Sequence, residues 1–446
     1  MKSSNPLVFA FLFISLIFTN TTYAQKAQEE LTTSEKKITI DAISAKLQGT
    51  YVFPEVAKAM SSLIHENFKK GNYSSLKKPH DFANQLTTDL VSVSNDKHIR
   101  VNYSPRRHTP QNTNKSTPED SINRINRYIN GLKRNNFGFK ELKILDGNIG
   151  YLDLRSFSDA RYGKQIAVSA MNFLSNSDAI IIDLRKNGGG NPNMIQLITS
   201  YLYGSEPIHL NTFYWRPTDS YSETWTLPTV EGERSPNTPV YVLTSKRTFS
   251  AAEEFSYNLK NLKRATLIGE TTGGGAHPGG PVQATEKFTV WVPSGRAINP
   301  ITETNWEGVG VVPHINTPSD KALEVAQIKA IESLMETTKD TKKIEYYRWE
   351  LATLKSRINP IVLESTRIKT YLGLYKERRI STENNRLYYQ NGSGKKYELL
   401  PLSEHVFVLK GRPAFRVKFI LEKEEVVELE VYSNNGYSNI IGKTNN

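Results

Sequence analysis

Two unbroken apolar runs constrain this chain more than any other feature. Ala179–Leu184 (AIIIDL) and Val240–Thr244 (VYVLT) show none of the in–out alternation of a half-exposed strand. They read as strands covered on both faces, the pattern of a parallel sheet with helices above and below. Each is followed by a turn and then a helix. Gly188-Gly189-Gly190 leads into a helix from about Pro192 to Tyr203, and a second helix begins around Ser250. A short strand at Gly150–Leu154 precedes them, with a helix over 160–174 that turns Ile166, Ala170 and Phe173 inward. Residues 265–269, 287–292 and 297–298 supply further strands. Strand–helix alternation of this kind predicts an α/β layered core.

The flanks follow other rules. Ile38, Ile40, Ile43 and Leu47, then Val56, Ala59, Met60, Leu63 and Ile64, recur at helical steps. Phe82, Leu86, Leu90 and Val93 form another helical stripe, which ends in the polar turn Ser94-Asn95-Asp96. Residues 104–120 are polar and bear prolines, as a connection does. Residues 321–336 and 341–356 read as helices that act as a spacer. Beyond Tyr371, short β runs such as Arg386–Gln390, Tyr397–Pro401, Val406–Lys410, Arg416–Leu421 and Val426–Tyr432 predict a small antiparallel barrel or sheet. The expected organisation is a signal peptide over 1–24, a helical N-terminal domain over 25–103 and a linker with a short helix over 104–136. The α/β core follows over 137–320, then a helical connector over 321–365 and a C-terminal β domain over 366–446.

Composition narrows the function. Lys2, the apolar run Leu7–Phe18 and the small residue ending Thr22-Tyr23-Ala24 make a secretory signal peptide. The run is short for a membrane span, and no cysteine is present to take a lipid, so an exported protein (periplasmic or extracellular) without a stable membrane anchor is expected. Absence of cysteine also removes disulfides, thiolate nucleophiles and cysteine-based metal sites. Lys and Arg number 57 against 45 Asp and Glu, a net charge of +12, but they are scattered and no nucleic-acid-binding signature accompanies them. Nucleic acid is therefore not expected as a partner. No two histidines stand at metal-ligand spacing, so neither a metal nor a cofactor is expected.

Chemistry concentrates in Thr248-Phe249-Ser250-Ala251-Ala252-Glu253-Glu254, between a buried strand and a helix whose apolar face is Ala251, Phe255, Leu259 and Leu262. Free N–H groups and the dipole at a helix start favour negative charge, which suits an attacking oxygen and its oxyanion. Ser-x-x-Glu at the same place is also a capping box, with Glu253 as partner, and taken alone it is only that. Two neighbours change the reading. Asp183–Gly190 (DLRKNGGG) lies at the carboxyl end of a central strand, where open α/β sheets place ligands. It lacks the Gly-Lys-Ser/Thr of a phosphate loop. Gly269–Pro278 (GETTGGGAHP) adds a second glycine-rich loop.

DLRKNGGG, TFSAAEEFSYNL, RATLIGETTGGGAHP and GVGVVP, in this order over roughly residues 85–320, resemble the tail-specific (C-terminal processing) serine peptidase family. The resemblance implies a crotonase-like α/β core acting on peptide or protein substrates. It makes Ser250 the nucleophile, with Gly188 or Gly189 and the Ala251 N–H as the oxyanion hole. The processing branch of the family uses a lysine base at the position of Gly275, and no lysine occurs here between Arg264 and Glu286. The tricorn-like branch uses a histidine and a glutamate instead. Asn95–Val101 (NDKHIRV) and Glu307 before Gly310-Val311-Val312-Pro313 look like those motifs. The implied triad is Ser250, His98 and Glu307, chemically sound because a histidine exchanges protons near neutral pH and a carboxylate orients it. His277, in the second glycine loop, is the competing base. Some 40 residues between His98 and the core leave no room for a PDZ module. The alternative reading is a catalytically silent protein of the same fold that binds a peptide or an apolar ligand.

Overall fold

The computed structural model describes residues 30–105 and 118–444; the expected signal peptide and residues 106–117 of the expected linker lie outside the described residues. Three helices open the chain: α1 (Thr33–Thr50), α2 (Pro54–Lys69) and α3 (Pro79–Ser94). Each starts on a local signal. Thr32 and Glu35 form a reciprocal capping box on α1, while Pro54 and Pro79 occupy the first turns of α2 and α3, where a missing N–H costs nothing. Strand β1 (Arg100–Tyr103) and helix α4 (Pro118–Arg134) follow.

The core then runs β2 (Phe139–Leu145), β3 (Ile149–Leu154), α5 (Ala160–Leu174), β4 (Ala179–Asp183) and α6 (Pro192–Tyr201). Next come the hairpin β5 (His209–Trp215) and β6 (Ser220–Trp225), then β7 (Val240–Thr244), α7 (Ala251–Asn261) and β8 (Ala265–Gly269). Strands β9 (Gly279–Gln283), β10 (Phe288–Pro293), β11 (Gly295–Ile298) and β12 (Ile315–Asn316) complete it. The central sheet has the order β12-β8-β7-β4-β3-β2, parallel except for β2.

Register explains the two apolar runs. Leu152, Ile182, Val242 and Leu267 stand in one row across the sheet and face α5, α6 and α7. Tyr151, Ile181 and Tyr241 stand in the adjacent row and face the other way, against α8 (Ala322–Thr337) and α9 (Thr341–Ile358). These last helices are thus the second covering layer of the sheet, more than the spacer expected from sequence: Ala322, Ala326, Ala330 and Ile331 sit directly on it. The inward face of α5 is Ala167, Ala170, Met171 and Leu174, while Phe173 is 49% exposed and lies with Ile166 in a groove beside β2. The N-terminal helices join the core through β1, which pairs antiparallel with β10, so Ile99 and Val101 share one apolar cluster with Phe288 and Val290.

After α10 (Ser365–Tyr371), eight strands between Gly373 and Gly442 meander antiparallel in sequence order. The Thr444 N–H donates to the Leu374 carbonyl at 2.8 Å and brings the last strand back to the first. Tyr371, Tyr375, Phe407 and Phe419 fill the interior, with the Tyr371 and Phe419 rings stacked at 4.3 Å. The barrel-like sheet docks on α9, where the Arg416 guanidinium lies 3.7 Å over the Trp349 ring and the indole N–H donates to the Pro413 carbonyl at 2.9 Å.

Because α8 and α9 cover the central sheet and the barrel has its own aromatic core, a chain ended after Asn359 should keep a single cooperative urea transition. Its stability should fall by about 1–2 kcal/mol, the scale of one partly desolvated cation–π contact. A broad, non-cooperative transition of the shortened chain would show that the barrel is needed to fold the core.

Candidate active site

The carboxyl ends of β4, β7 and β8 converge, and the loops leaving them hold the residues singled out in the sequence. Ser250 lies at the turn from β7 into α7 with φ 55° and ψ −123°, a backbone conformation that L residues rarely adopt. Ser250 and Glu253 form a reciprocal capping box at the start of α7. The Glu253 carboxylate accepts from the Ser250 N–H at 2.8 Å, and the Glu253 N–H donates to the Ser250 carbonyl at 2.8 Å. Ser250 itself is half-buried.

Glu253 does more than cap. Fully buried, it also accepts from the N–H groups of Gly274 at 2.6 Å and Gly275 at 2.8 Å and from the Thr272 hydroxyl at 2.5 Å. Burial raises its pKa, and these donors hold it down against that rise. The glycine loop is thereby fixed against the serine turn. A side chain at Gly275 would lie 2.3 Å from the Phe249 ring and 2.8 Å from His98 Cε1, so the place where the processing branch has its lysine admits only glycine here.

The loop after β4 closes the other side. Gly189 has φ +108°, and a Cβ on it would lie 2.8 Å from the Ser250 Cβ and 3.0 Å from the Ala251 nitrogen. Its N–H is already bound to Asn187 Oδ1 at 2.8 Å. Of the two glycines that the sequence left open, Gly188 is the one whose N–H has no hydrogen-bond partner among the described residues, and the Ala251 N–H shares that freedom.

His98 arrives from the N-terminal helices. Asn95 ends α3 in the left-handed conformation, and Asp96 then folds the chain back, its Oδ1 accepting from the His98 N–H at 3.0 Å. The His98 ring lies against Phe249, the residue before Ser250, with centroids 4.7 Å apart. It is nearly buried, and neither ring nitrogen has a hydrogen-bond partner among the described residues. Lys97 beside it donates its ammonium to the Gly273 carbonyl at 2.5 Å, a second tie between this turn and the glycine loop.

Glu307 and His277 meet each other behind His98. Glu307 Oε2 accepts from the Ala276 N–H at 2.5 Å and lies 3.5 Å from His277 Nδ1. The carboxylate near the His98 ring is Asp96, with Oδ1 3.6 Å from Nδ1, while Asp96 Oδ2 accepts from His277 Nδ1 at 2.9 Å and from the Tyr51 hydroxyl at 3.3 Å. The structure therefore gathers His98, Glu307 and His277 about Asp96, with His98 against Phe249, the residue before Ser250, and it sets Glu307 on His277 and not on His98. Asp96 was passed over in the sequence because its role lies in a tertiary contact; the Asn-Asp-x-His turn was its one local signal. Burial acts to raise the Asp96 pKa, yet the hydrogen bond with His277 and the nearby His98 imidazole hold it down to about 2. Glu307 is shifted the opposite way, by burial and by the Asp96 charge. Donor atoms of Asp96, His277 and Glu307 lie within 4.8 Å of one another, close enough to hold a cation; in this arrangement the hydrogen on His277 Nδ1 lies between the carboxylates.

Two family models match the chain. Residues 148–317 match the model of peptidase family S41, and residues 25–131 match the N-terminal domain of peptidase S41 in eukaryotic IRBP. Among solved structures, a lipoprotein from Streptococcus agalactiae is 14% identical over 67% of this chain and 96% of its own, with a TM-score of 0.44. The photosystem II D1 C-terminal processing protease is 15% identical over 65% and 94%, with a TM-score of 0.40. The tricorn protease is 15% identical over 68% of this chain and 37% of its own, with a TM-score of 0.42.

One further group under the site governs stability. Glu254 is buried on α7, its Oε1 without a hydrogen-bond partner among the described residues, and the same is true of the side-chain amide of the fully buried Asn211. Burial raises the Glu254 pKa to about 8. A carboxyl raised in the folded state holds its proton there after the unfolded chain has released it. Stability should therefore fall as pH rises from about 4.5 towards 8, by about 1.4 kcal/mol per pH unit for this one group. Glu254→Gln should lose less stability than wild type between pH 5 and pH 8. Equal slopes of urea-unfolding free energy against pH would show that Glu254 titrates like an exposed acid.

Proposed function

Since the chain carries the domains of peptidase family S41, we propose that it is an exported serine-type endopeptidase with a crotonase-like core and no PDZ module. We assign Ser250 as its nucleophile and His98 as its base. One observation carries the assignment. A serine on a strained turn at the carboxyl edge of a parallel sheet adjoins, through Phe249, a nearly buried imidazole whose nitrogens are unpartnered among the described residues. A plain cap needs no strained backbone, and a core histidine would be hydrogen-bonded.

In this reading Ser250 Oγ attacks the carbonyl carbon of the scissile peptide, and His98 takes the hydroxyl proton. Ala251 and Gly188 offer N–H groups to the oxygen that becomes negative. When the tetrahedral carbon collapses, the C–N bond breaks and His98 passes the proton to the departing amine. Water then attacks the acyl ester on Ser250 while His98 takes its proton; the C–O bond to Ser250 Oγ breaks, His98 returns the proton to Oγ, and the new carboxyl end leaves. Helix α7 begins at Ala251, so its positive end faces the developing charge. Glu307 completes the triad as its acidic member, acting through the buried cluster it shares with His277. Export follows from the sequence of residues 1–24. Among the described residues no helix is long and apolar enough to cross a membrane.

A fluorophosphonate should label wild type on Ser250 and leave Ser250→Ala unlabelled. Peptide cleavage should drop on the order of 10³-fold or more in Ser250→Ala and in His98→Ala. With Ser250 at the cap of α7, Ser250→Ala should lower unfolding stability by no more than the ~1 kcal/mol of a lost cap. An unlabelled wild-type protein would favour the silent binding protein. Full activity of His98→Ala with an inactive His277→Ala would move the base to His277.

A further inference from the structure

The Ser250–His98–Glu307 reading leaves one link unexplained: Glu307 does not touch the imidazole it is meant to orient. Its carboxylate is occupied by the Ala276 N–H and faces His277 at 3.5 Å, and its other oxygen is buried without a partner among the described residues. Asp96 is the acid on the path to His98. It is fully buried, it is held by the Tyr51 hydroxyl and by His277, and its Oδ1 already binds the His98 N–H. From that oxygen to His98 Nδ1 is 3.6 Å, longer than a hydrogen bond but within reach of a small turn of the ring when substrate closes the site.

We propose that Asp96 is the carboxylate that orients His98, and that His277 is a positioning residue whose Nδ1–H holds Asp96 and keeps it apart from Glu307. The inference rests on the peptidase reading and deepens it. Two buried carboxylates side by side repel, and a hydrogen donor between them is what allows Asp96 to stay ionised beside the base. His277 Nδ1 faces only acceptors, Asp96 Oδ2 and Glu307 Oε2, so it carries the hydrogen. The Phe53 ring meets the His277 ring edge-on at 5.3 Å and restricts its tilt. The other charged or titratable groups facing this cluster are few. Tyr51 stands at the end of α1, Lys97 has its ammonium on the Gly273 carbonyl, and Glu253 is anchored behind Gly274 and Gly275.

The sign of the effect follows. Ionised Asp96 favours the protonated form of His98. Removing that charge makes His98 release its proton more readily, so the acidic limb of kcat/KM moves to lower pH. Asp96→Asn keeps the turn's acceptor oxygen and removes the charge. It should lower kcat/KM on the order of 10³-fold and shift the limb down by roughly one pH unit. Glu307→Gln should cost clearly less and leave the limb in place. His277→Leu, which fills the space without a donor, should behave as a weaker Asp96→Asn, with the limb also moved down. His277→Asn, whose amide nitrogen can stand where Nδ1 stands, should recover most of the activity and the wild-type limb. A larger loss in Glu307→Gln than in Asp96→Asn, or His277→Asn no better than His277→Leu, would overturn the proposal. So would an unmoved limb in folded Asp96→Asn, judged by an unchanged melting temperature. Fluorophosphonate labelling of wild type separates the two failures. No label on Ser250 sinks the peptidase reading itself, whereas labelled wild type with these outcomes sinks only the roles of Asp96 and His277.

Discussion

Everything at the catalytic edge depends on one buried carboxylate, that of Glu253. It takes hydrogen bonds from Ser250, Gly274, Gly275 and Thr272, which come from two different loops. Thr272 in turn accepts from the Val311 N–H at 2.7 Å, so the segment that carries Glu307 is tied in as well. A buried acid with every lone pair satisfied is tolerated, and one with a missing donor is costly. The network therefore stands or falls as a unit.

The same physics separates what the sequence revealed from what it hid. Strands such as Ala179–Asp183 and Val240–Thr244 were legible because burial on both faces leaves an unbroken apolar run. Ser250 and the glycine loops were legible because a strand end, a helix start and close backbone approach each demand particular residue types. The hairpin His209–Trp215 with Ser220–Trp225 was not, since its second strand is largely exposed and carries few apolar residues. Helix α8 reads as an amphipathic helix, and only the sheet beneath it reveals what its alanines cover.

The acid and imidazole arrangement was the least legible part. Asp96 and His277 are 181 positions apart and meet only after β1 pairs with β10 and draws the N-terminal helices onto the core. No local pattern records such a meeting. A family resemblance offers Glu307 as the triad acid, and the geometry sets it on His277, with Asp96 beside the His98 ring. The three helices that look like a separate domain share one apolar cluster with Phe288, Val290 and Val292 of the core.

These features have a common energetic cause. The backbone of Ser250 is strained, His98 has no hydrogen-bond partner, Glu254 is buried without full satisfaction, and Asp96 and Glu307 crowd one another. Each is individually destabilising on the scale of about 1–3 kcal/mol. All lie on the turn into α7, on that helix's first turn, or on loops packed against it. Around that edge the core has unbroken apolar rows across the sheet and helices on both faces. The packing of these layers holds the unfavourable groups beside Ser250 in place, and a plain helix cap would need none of them.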